Sequence, residues 1–304
     1  MQNLTLKQLR YFEALSLHGH FGRAADVCSI SQPALSMQIK ELEETLGTRL
    51  FERSARQVRL THFGEEFLSR VQAILRAVEE LDDLARASRA QLIGRLRLGI
   101  IPTVAPYLLP TLIGQLTQAN ASLDIHIRET LTQKLLQELA EGRLDTAIVA
   151  LPVSEPSLTE VPLFSEDFVL VRPQADAAKP VPSRESLREM RLLLLEEGHC
   201  FRDQALSFCS LQAVSPRELL DGSSLSTLVQ MVGAGIGVTL IPEMAVAVET
   251  RSAAVSIARF SGLQPSRTIG MIWRKTSPLA KQLAQIAEVV RGSAAALRSH
   301  HAQA

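Results

Sequence analysis

Two of the three cysteines in this chain, Cys200 and Cys209, stand close together, in Gly198-His199-Cys200-Phe201-Arg202-Asp203-Gln204 and the following Phe208-Cys209; the third is Cys28. His199 and Arg202 can place positive charge beside Cys200. A helix starting just after it would turn free amide groups toward the sulfur, and both effects favour the reactive thiolate. Cys209 falls one turn after Ala205 and Leu206 on the apolar face of that helix, which predicts a thiol buried and inert at rest. Helical rise over this spacing separates the sulfurs by roughly 13 Å, whereas a disulfide needs Cα atoms within about 7 Å. The helix must melt before the pair can close, so oxidation would become a change of shape. The pattern leaves a second reading open, two ordinary small buried thiols.

The elements around these residues belong to a globular chain of roughly two domains: 304 residues, 46% hydrophobic, 21% charged, with zero formal net charge. Such a chain buries an ample core without covalent help, so close thiols do not suggest a disulfide framework. No apolar run approaches the ~18 residues of a membrane span. Met1-Gln2-Asn3-Leu4-Thr5-Leu6-Lys7 lacks the basic start and apolar core of a signal peptide, so the expected compartment is the cytoplasm, where thiols stay reduced. Gly233-Ala234-Gly235-Ile236-Gly237 reads as a tight turn before a strand at Val238 to Ile241, not a dinucleotide fingerprint. No cysteine and histidine grouping, His300-His301 included, has zinc spacing, so neither metal nor cofactor is expected.

The N-terminal stretch reads as a compact helical unit. Leu6, Leu9, Phe12 and Leu15 recur at helical spacing, a short helix covers His20 to Cys28, and Ser29-Ile30 makes a turn. Ser31 is a good N-cap for a third helix with Pro33 in its first turn. Leu35, Ile39, Leu42 and Leu46 would face its core, and Pro33, Ser36, Met37 and Lys40 would face out, with Gln32 at the exposed leading end. Two short helices and a tight turn form a helix-turn-helix, which makes Gln32 and Ser36 candidate base readers and Lys40 a phosphate contact. Phe51 to Thr61, rich in arginines that include Arg53 and Arg56, predicts a hairpin wing lying along a nucleic-acid backbone.

From Thr61 to Ala90 there is no proline, and Phe63, Phe67, Val71, Ile74, Val78, Leu81 and Ala85 step by fours and threes. This is the seam of a helix on the order of 45 Å long, best explained as a dimerisation rod. Beyond Gly94 strands alternate with helices, the sign of an α/β sheet: strands at Leu96 to Ile101, Leu123 to Glu129 and Asp145 to Leu151, helices at Pro106 to Ala119 and Thr132 to Glu141. Val161 to Val171, interrupted by Pro162, leads toward a second set of elements, and Thr268 to Trp273 returns. The expected domains are 1–61, a linker helix 62–92 and an α/β region 93–304, with one lobe of 93–163 and 268–304 and the other of 164–267. A cleft between two such lobes is a frequent ligand site.

In order and motif the chain resembles the LysR-type transcriptional regulators. The carrying residues are Phe21-Gly22-Arg23-Ala24-Ala25, Ser31-Gln32-Pro33-Ala34-Leu35-Ser36, Leu42-Glu43, Leu46-Gly47, Leu50-Phe51-Glu52-Arg53 and Leu60-Thr61. The resemblance implies a winged helix-turn-helix, a long dimerising linker helix and a two-lobed α/β effector domain like a periplasmic binding protein. Gly198 to Ala205 with Phe208-Cys209, Ile101-Pro102-Thr103-Val104 and Arg267-Thr268-Ile269-Gly270 are similar to the branch of that family that senses hydrogen peroxide. That similarity implies a peroxidatic Cys200, oxidised to a sulfenic acid and resolved by Cys209 as a disulfide. It further implies a peroxide pocket of Thr103, Thr132 and His199, with Asp203 and Arg267 close by, and no enzymatic role. The implied partners are double-stranded promoter DNA, a homotetramer built as a dimer of dimers, hydrogen peroxide as signal, RNA polymerase and a thiol reductant, with no membrane. Two rivals remain: a regulator answering to a small organic co-inducer in the cleft, and a thiol peroxidase. Cys28, in the helical unit, is expected to pack and not to join the switch.

Overall fold

A computed structural model of the chain describes residues 4–53, 58–87, 94–183, 186–208, 220–260, 262 and 264–301, in two compact units, Met1–Ala85 and Arg86–Ala304. Cys209 and Arg56 lie outside the described residues.

The first unit begins with α1 (Leu6–His18), started by a capping box in which Thr5 Oγ1 accepts from the Gln8 amide and Gln8 Oε1 accepts from the Thr5 amide. Leu9, Phe12 and Leu15 are buried as the spacing predicts, but Leu6 is 44% exposed and Gln8 is buried. A helical side chain leans over the turn N-terminal to its own Cα, and Leu6, first in the helix, has no such turn to cover. In α2 (Phe21–Val27) the His20 ring caps the start, its Nδ1 accepting from the Gly22 amide at 3.1 Å. The chain turns through Ser29 in the left-handed region and enters α3 (Gln32–Leu46), where Ser31 Oγ accepts from Ala34 N and Gly47 closes the helix at φ 66°.

Strands β1 (Phe51–Arg53) and β2 (Val58–Leu60) pair antiparallel with Phe51 opposite Leu60. Glu43 of α3 ties this hairpin down, its Oε1 accepting from the amides of Leu50 at 2.8 Å and Phe51 at 3.2 Å. Helix α4 (His62–Ala87) follows; its 26 residues span about 39 Å. Its stripe divides. Val71 and Leu75 are buried in the core of the first unit with Leu35, Ile39 and Leu42, whereas Ile74, Leu81 and Leu84 are exposed. The start of α4 presses on the strand leading from α3: a Cβ on Gly64 would stand 2.2 Å from the Leu50 carbonyl oxygen, backbone that cannot step aside. Gly64→Ala is therefore expected to destabilise this unit by about 1–3 kcal/mol, read as faster amide hydrogen exchange across α1 and α3. Unchanged exchange there would contradict the packing.

The second unit contains β3 (Gly94–Ile100), α5 (Ala105–Ala119), β4 (Leu123–Glu129), α6 (Thr132–Ala140), β5 (Thr146–Leu151) and β6 (Leu158–Pro173). Next come β7 (Leu193–Leu195), α7 (Cys200–Phe208), β8 (Leu220–Gly222), α8 (Leu225–Gly233), β9 (Thr239–Pro242) and the single turn α9 (Val246–Glu249). The described chain closes with β10 (Val255–Ala258), β11 (Ser266–Arg274) and α10 (Ala280–His301). The main sheet runs β10-β6-β11-β5-β3-β4, with β9 also on β6; β3 is parallel to β4 and β5, and β11 is antiparallel to β5 and β6.

Sixteen residues long, β6 serves both lobes: its first part pairs with β11 and its second with β9 and β10. Pro162 does not interrupt it, because it stands opposite Gly270 at a register shift where the ladder is already irregular. The alternation of strands and helices thus yields an α/β fold with two apolar cores. One is built on β3, β5, α5, α6 and α10, and the other on the second half of β6 with β7, β9 and α8. Gly233 to Gly237 is the turn between α8 and β9.

Candidate functional site

The cysteine sits where the two cores meet. Cys200 is the first residue of α7, inside the helix where the sequence places it just before, and its half-buried side chain packs against the first core. The next residue, Phe201, is 2% exposed and belongs to the second core, where its ring meets Phe168 at 4.7 Å between centroids. One peptide bond therefore joins a side chain held by one lobe to a side chain held by the other.

Arg267, on β11, is wholly buried. Its Nη1 donates to Thr103 Oγ1 at 2.8 Å, its Nη2 to the Thr103 carbonyl at 3.1 Å and its Nε to Glu166 Oε1 at 2.7 Å. The guanidinium carbon lies 5.4 Å from the centre of the Phe201 ring and 5.9 Å from that of Phe168, both within cation–π reach. Thr103 and Arg267, 164 residues apart, are thus brought together, and the cation is stacked on the neighbour of Cys200. Because Thr103 Oγ1 accepts from Arg267, its own proton is directed elsewhere and can be donated to a small ligand.

Thr132 opens α6, and its Oγ1 is buried with no hydrogen-bond partner among the described residues. A buried unpaired hydroxyl costs free energy unless something meets it. The Cys200 loop approaches this helix end: Gly198 has φ +94°, and a Cβ there would stand 3.0 Å from Leu131 Cδ1, the residue before Thr132. Glycine is needed at this point for conformation and for space.

His199 is half-buried, and burial pushes its imidazole below the usual histidine value, with the Glu196 carboxylate opposing. The fold therefore holds the ring neutral at pH 7. Arg202 is also committed, donating from Nη1 to the Leu195 carbonyl at 2.7 Å and to Asp221 Oδ1 at 2.6 Å. The two cations that the sequence offers for thiolate stabilisation are thus one neutral ring and one paired arginine. Asp203 is exposed on the first turn of α7, and its carboxylate makes no hydrogen bond or ion pair among the described residues.

The His199 shift has a consequence for stability. A histidine with a depressed folded-state pKa adds stability above its unfolded value and loses it as pH falls through the folded one. Acidification from pH 7.5 to 5 is expected to lower the urea midpoint more in the wild type than in His199→Gln. Equal loss in both would show that the ring is not what resists protonation.

In the first unit Gln32, Pro33 and Lys40 are exposed along one side of α3, Ser36 is half-buried and Met37 is 63% exposed among them. Lys40 Nζ lies 3.5 Å from Glu44 on the surface, a contact that competing phosphate can displace. Arg53 ends β1, in register with Val58 of β2. Cys28 caps the end of α2, half-buried, and burial raises its thiol pKa, which keeps it protonated and unreactive.

Glu166 and the two phenylalanines around Arg267 carry no sequence signal. Glu166 and Arg267 are cross-strand partners 101 residues apart, a pairing that only the sheet register creates.

Comparison with known proteins bears on both units. A model of the bacterial regulatory helix-turn-helix protein, lysR family, matches residues 6–65, and one of the LysR substrate binding domain matches residues 89–295. A probable hydrogen peroxide-inducible genes activator of Streptomyces viridosporus is 43% identical over 292 residues, covering 94% of this chain and 93% of the relative. The DNA-binding transcriptional dual regulator OxyR of Escherichia coli K12 is 40% identical, with 95% of each chain covered. Among solved structures, a full-length OxyR cysteine variant from Pseudomonas aeruginosa matches with TM-score 0.74 and 38% identity over 95% of each chain. A peroxide-bound cysteine mutant of Corynebacterium glutamicum OxyR matches with TM-score 0.68 and 35% identity, over 99% of this chain and 96% of that one. No helix among the described residues is long and apolar enough to cross a membrane. With the fold, the helix-turn-helix and the α/β region all accounted for, this chain belongs to the LysR family of transcriptional regulators.

Proposed function

We propose that this protein is a DNA-binding transcriptional regulator that senses hydrogen peroxide through Cys200. The observation that carries the reading is the seat of Cys200 at the head of α7, between the two cores and next to a phenylalanine stacked under the buried Arg267 guanidinium. The Cys200 thiolate attacks one peroxide oxygen, the O–O bond breaks, and the other oxygen leaves as hydroxide that takes a proton to become water. Cys200 is left as a sulfenic acid. The hydroxyls of Thr103 and Thr132 hold the two peroxide oxygens, and Arg267 stabilises the departing negative charge. His199 completes the pocket; Asp203, exposed, stands at its outer edge.

Cys209 then attacks the sulfenic sulfur, forming the disulfide and releasing water. From Cys200 to Phe208, α7 rises about 12 Å, beyond the reach of a disulfide, so closure requires α7 to unwind and Phe201 to leave its place under Arg267. The signal is thereby a refolding at the junction of the lobes.

The output is DNA contact by α3 and the hairpin. Gln32 and Ser36 read base edges in the major groove with Pro33 beside them on the DNA side, and Lys40, Arg53 and Arg56 hold phosphates. The exposed Ile74, Leu81 and Leu84 of α4 supply the dimer seam, and dimers pair again into tetramers at promoters, where RNA polymerase is engaged. A cytoplasmic thiol reductant resets the pair. Peptide mapping after stoichiometric hydrogen peroxide tests the reading. A Cys200–Cys209 linkage with loss of two hydrogens is the expected product, and a Cys200 that stays a free thiol under excess peroxide would refute it.

A further inference from the structure

On the leading half of α3, the side chain that points most directly away from the core is apolar. At about 3.6 residues per turn, Met37 lies roughly 170° around the helix from the middle of the buried arc of Leu35, Ile39 and Leu42. It is 63% exposed and sits in the second turn of this 15-residue helix. One turn before it on the same crest is Pro33, also exposed, and one turn after it is Lys40, whose ammonium lies 3.5 Å from Glu44. On the far side Glu41 accepts from Gln38 Nε2 at 3.0 Å. Gln32 and Ser36 stand on the other flank, nearer the core.

A lone exposed apolar side chain is ordinary on a protein surface, but this crest is the part of a helix-turn-helix that enters the major groove. Most of what base edges present there donates or accepts hydrogen bonds, and the apolar exception is the thymine 5-methyl group. A methionine thioether donates nothing and accepts only weakly. Pressed on a polar edge it would strip water from that edge without replacing the lost bonds. On a methyl group it buries apolar surface instead, with an unbranched chain flexible enough to reach it. Building on the DNA-binding role proposed above, we infer that Met37 is a specificity-determining residue that selects thymine through its 5-methyl group, at one base-pair position under each α3.

Uracil isolates the effect, because it differs from thymine only in lacking that methyl and offers hydrogen-bonding side chains such as those of Gln32 and Ser36 the same partners. The full-length reduced protein selects a duplex from a random-sequence pool. Each thymine of the selected site is then replaced in turn by deoxyuridine, with affinities measured at one fixed salt concentration. At one thymine under α3, uracil is expected to weaken binding by the wild type about three- to tenfold, the effect of losing one buried methyl. Met37→Ala should already be weaker by about that factor on the thymine duplex and lose nothing further on uracil, so the two changes do not add. Met37→Leu, still apolar, should keep the uracil penalty, and Met37→Gln should lose it. Ser36→Ala, one residue away on the flank, should keep it whatever its overall affinity.

No uracil penalty at any thymine, penalties that add to Met37→Ala at every thymine, or a penalty that survives in Met37→Gln overturns the inference. A chain that selects no duplex from the pool refutes the regulator reading and thymine selection with it. Selection of a duplex without coupling to Met37 refutes thymine selection alone.

Discussion

Cys200→Ser is expected to bind promoter DNA as the reduced wild type does and to show the same footprint before and after peroxide. The residues proposed to contact DNA lie in the first unit, and serine nearly matches the volume of the thiol at the head of α7. The hydroxyl cannot form a sulfenic acid, so neither oxidised product arises and α7 has no reason to unwind. The response should fall from complete to none, the largest functional effect any single substitution here would have. Cys209→Ser should differ in kind, because the first chemical step survives and the sulfenic acid, lacking its resolving thiol, accumulates and is trapped by a dimedone-type reagent. A footprint in Cys200→Ser that still shifts with peroxide would refute the thiol mechanism. A response to a small organic molecule alone would favour the co-inducer alternative.

Arg267→Met is expected to be the most destabilising of the site substitutions. It leaves Glu166 buried with no counter-charge, removes both bonds to Thr103 and takes the cation from the Phe201 and Phe168 rings. Breaking a buried pair by deleting one partner costs about 3–5 kcal/mol, which in a unit of this size corresponds to a fall in thermal midpoint of about 10 °C. Adding Glu166→Gln to Arg267→Met should recover much of that stability, since the stranded charge is gone. Peroxide oxidation of Cys200 should nevertheless remain slow in the double variant, because the cation proposed to stabilise the leaving hydroxide is still missing. Calorimetry and stopped-flow oxidation together check this; a double variant as unstable as Arg267→Met would show that the loss comes from packing and not from the stranded carboxylate.

Local chemistry was legible in the sequence. Ser31 caps α3, Gly47 ends it, and Leu35, Ile39 and Leu42 face its core because caps and helical periodicity are properties of neighbours within one turn. The same holds for β4, which runs from Leu123 to Glu129 as its apolar alternation predicts. The two thiols and their spacing are equally local, so Cys200 could be marked as a candidate switch from its own segment. Where local rules met the start of a helix they failed: Leu6 fits the period yet faces solvent, and Gln8 is drawn inside by its bond to Thr5.

What only the tertiary structure decided is which of the ionisable groups around Cys200 are neutralised or already paired. The sequence places His199 and Arg202 next to Cys200, but burial neutralises the first and Asp221 engages the second. A third cation, Arg267, is set on the ring of Phe201, the residue after Cys200, by the pairing of β11 with β6, and is itself paired with Glu166 across that pairing. The sequence itself determined the elements of the first unit, the strands and helices from β3 to β5 and the candidate reactive pair, because each is fixed by residues a few positions apart, whereas α8, β10 and α10 were not marked in it. The electrostatics of the site were decided by sheet register and burial, which depend on contacts more than 100 residues apart that no local pattern encodes.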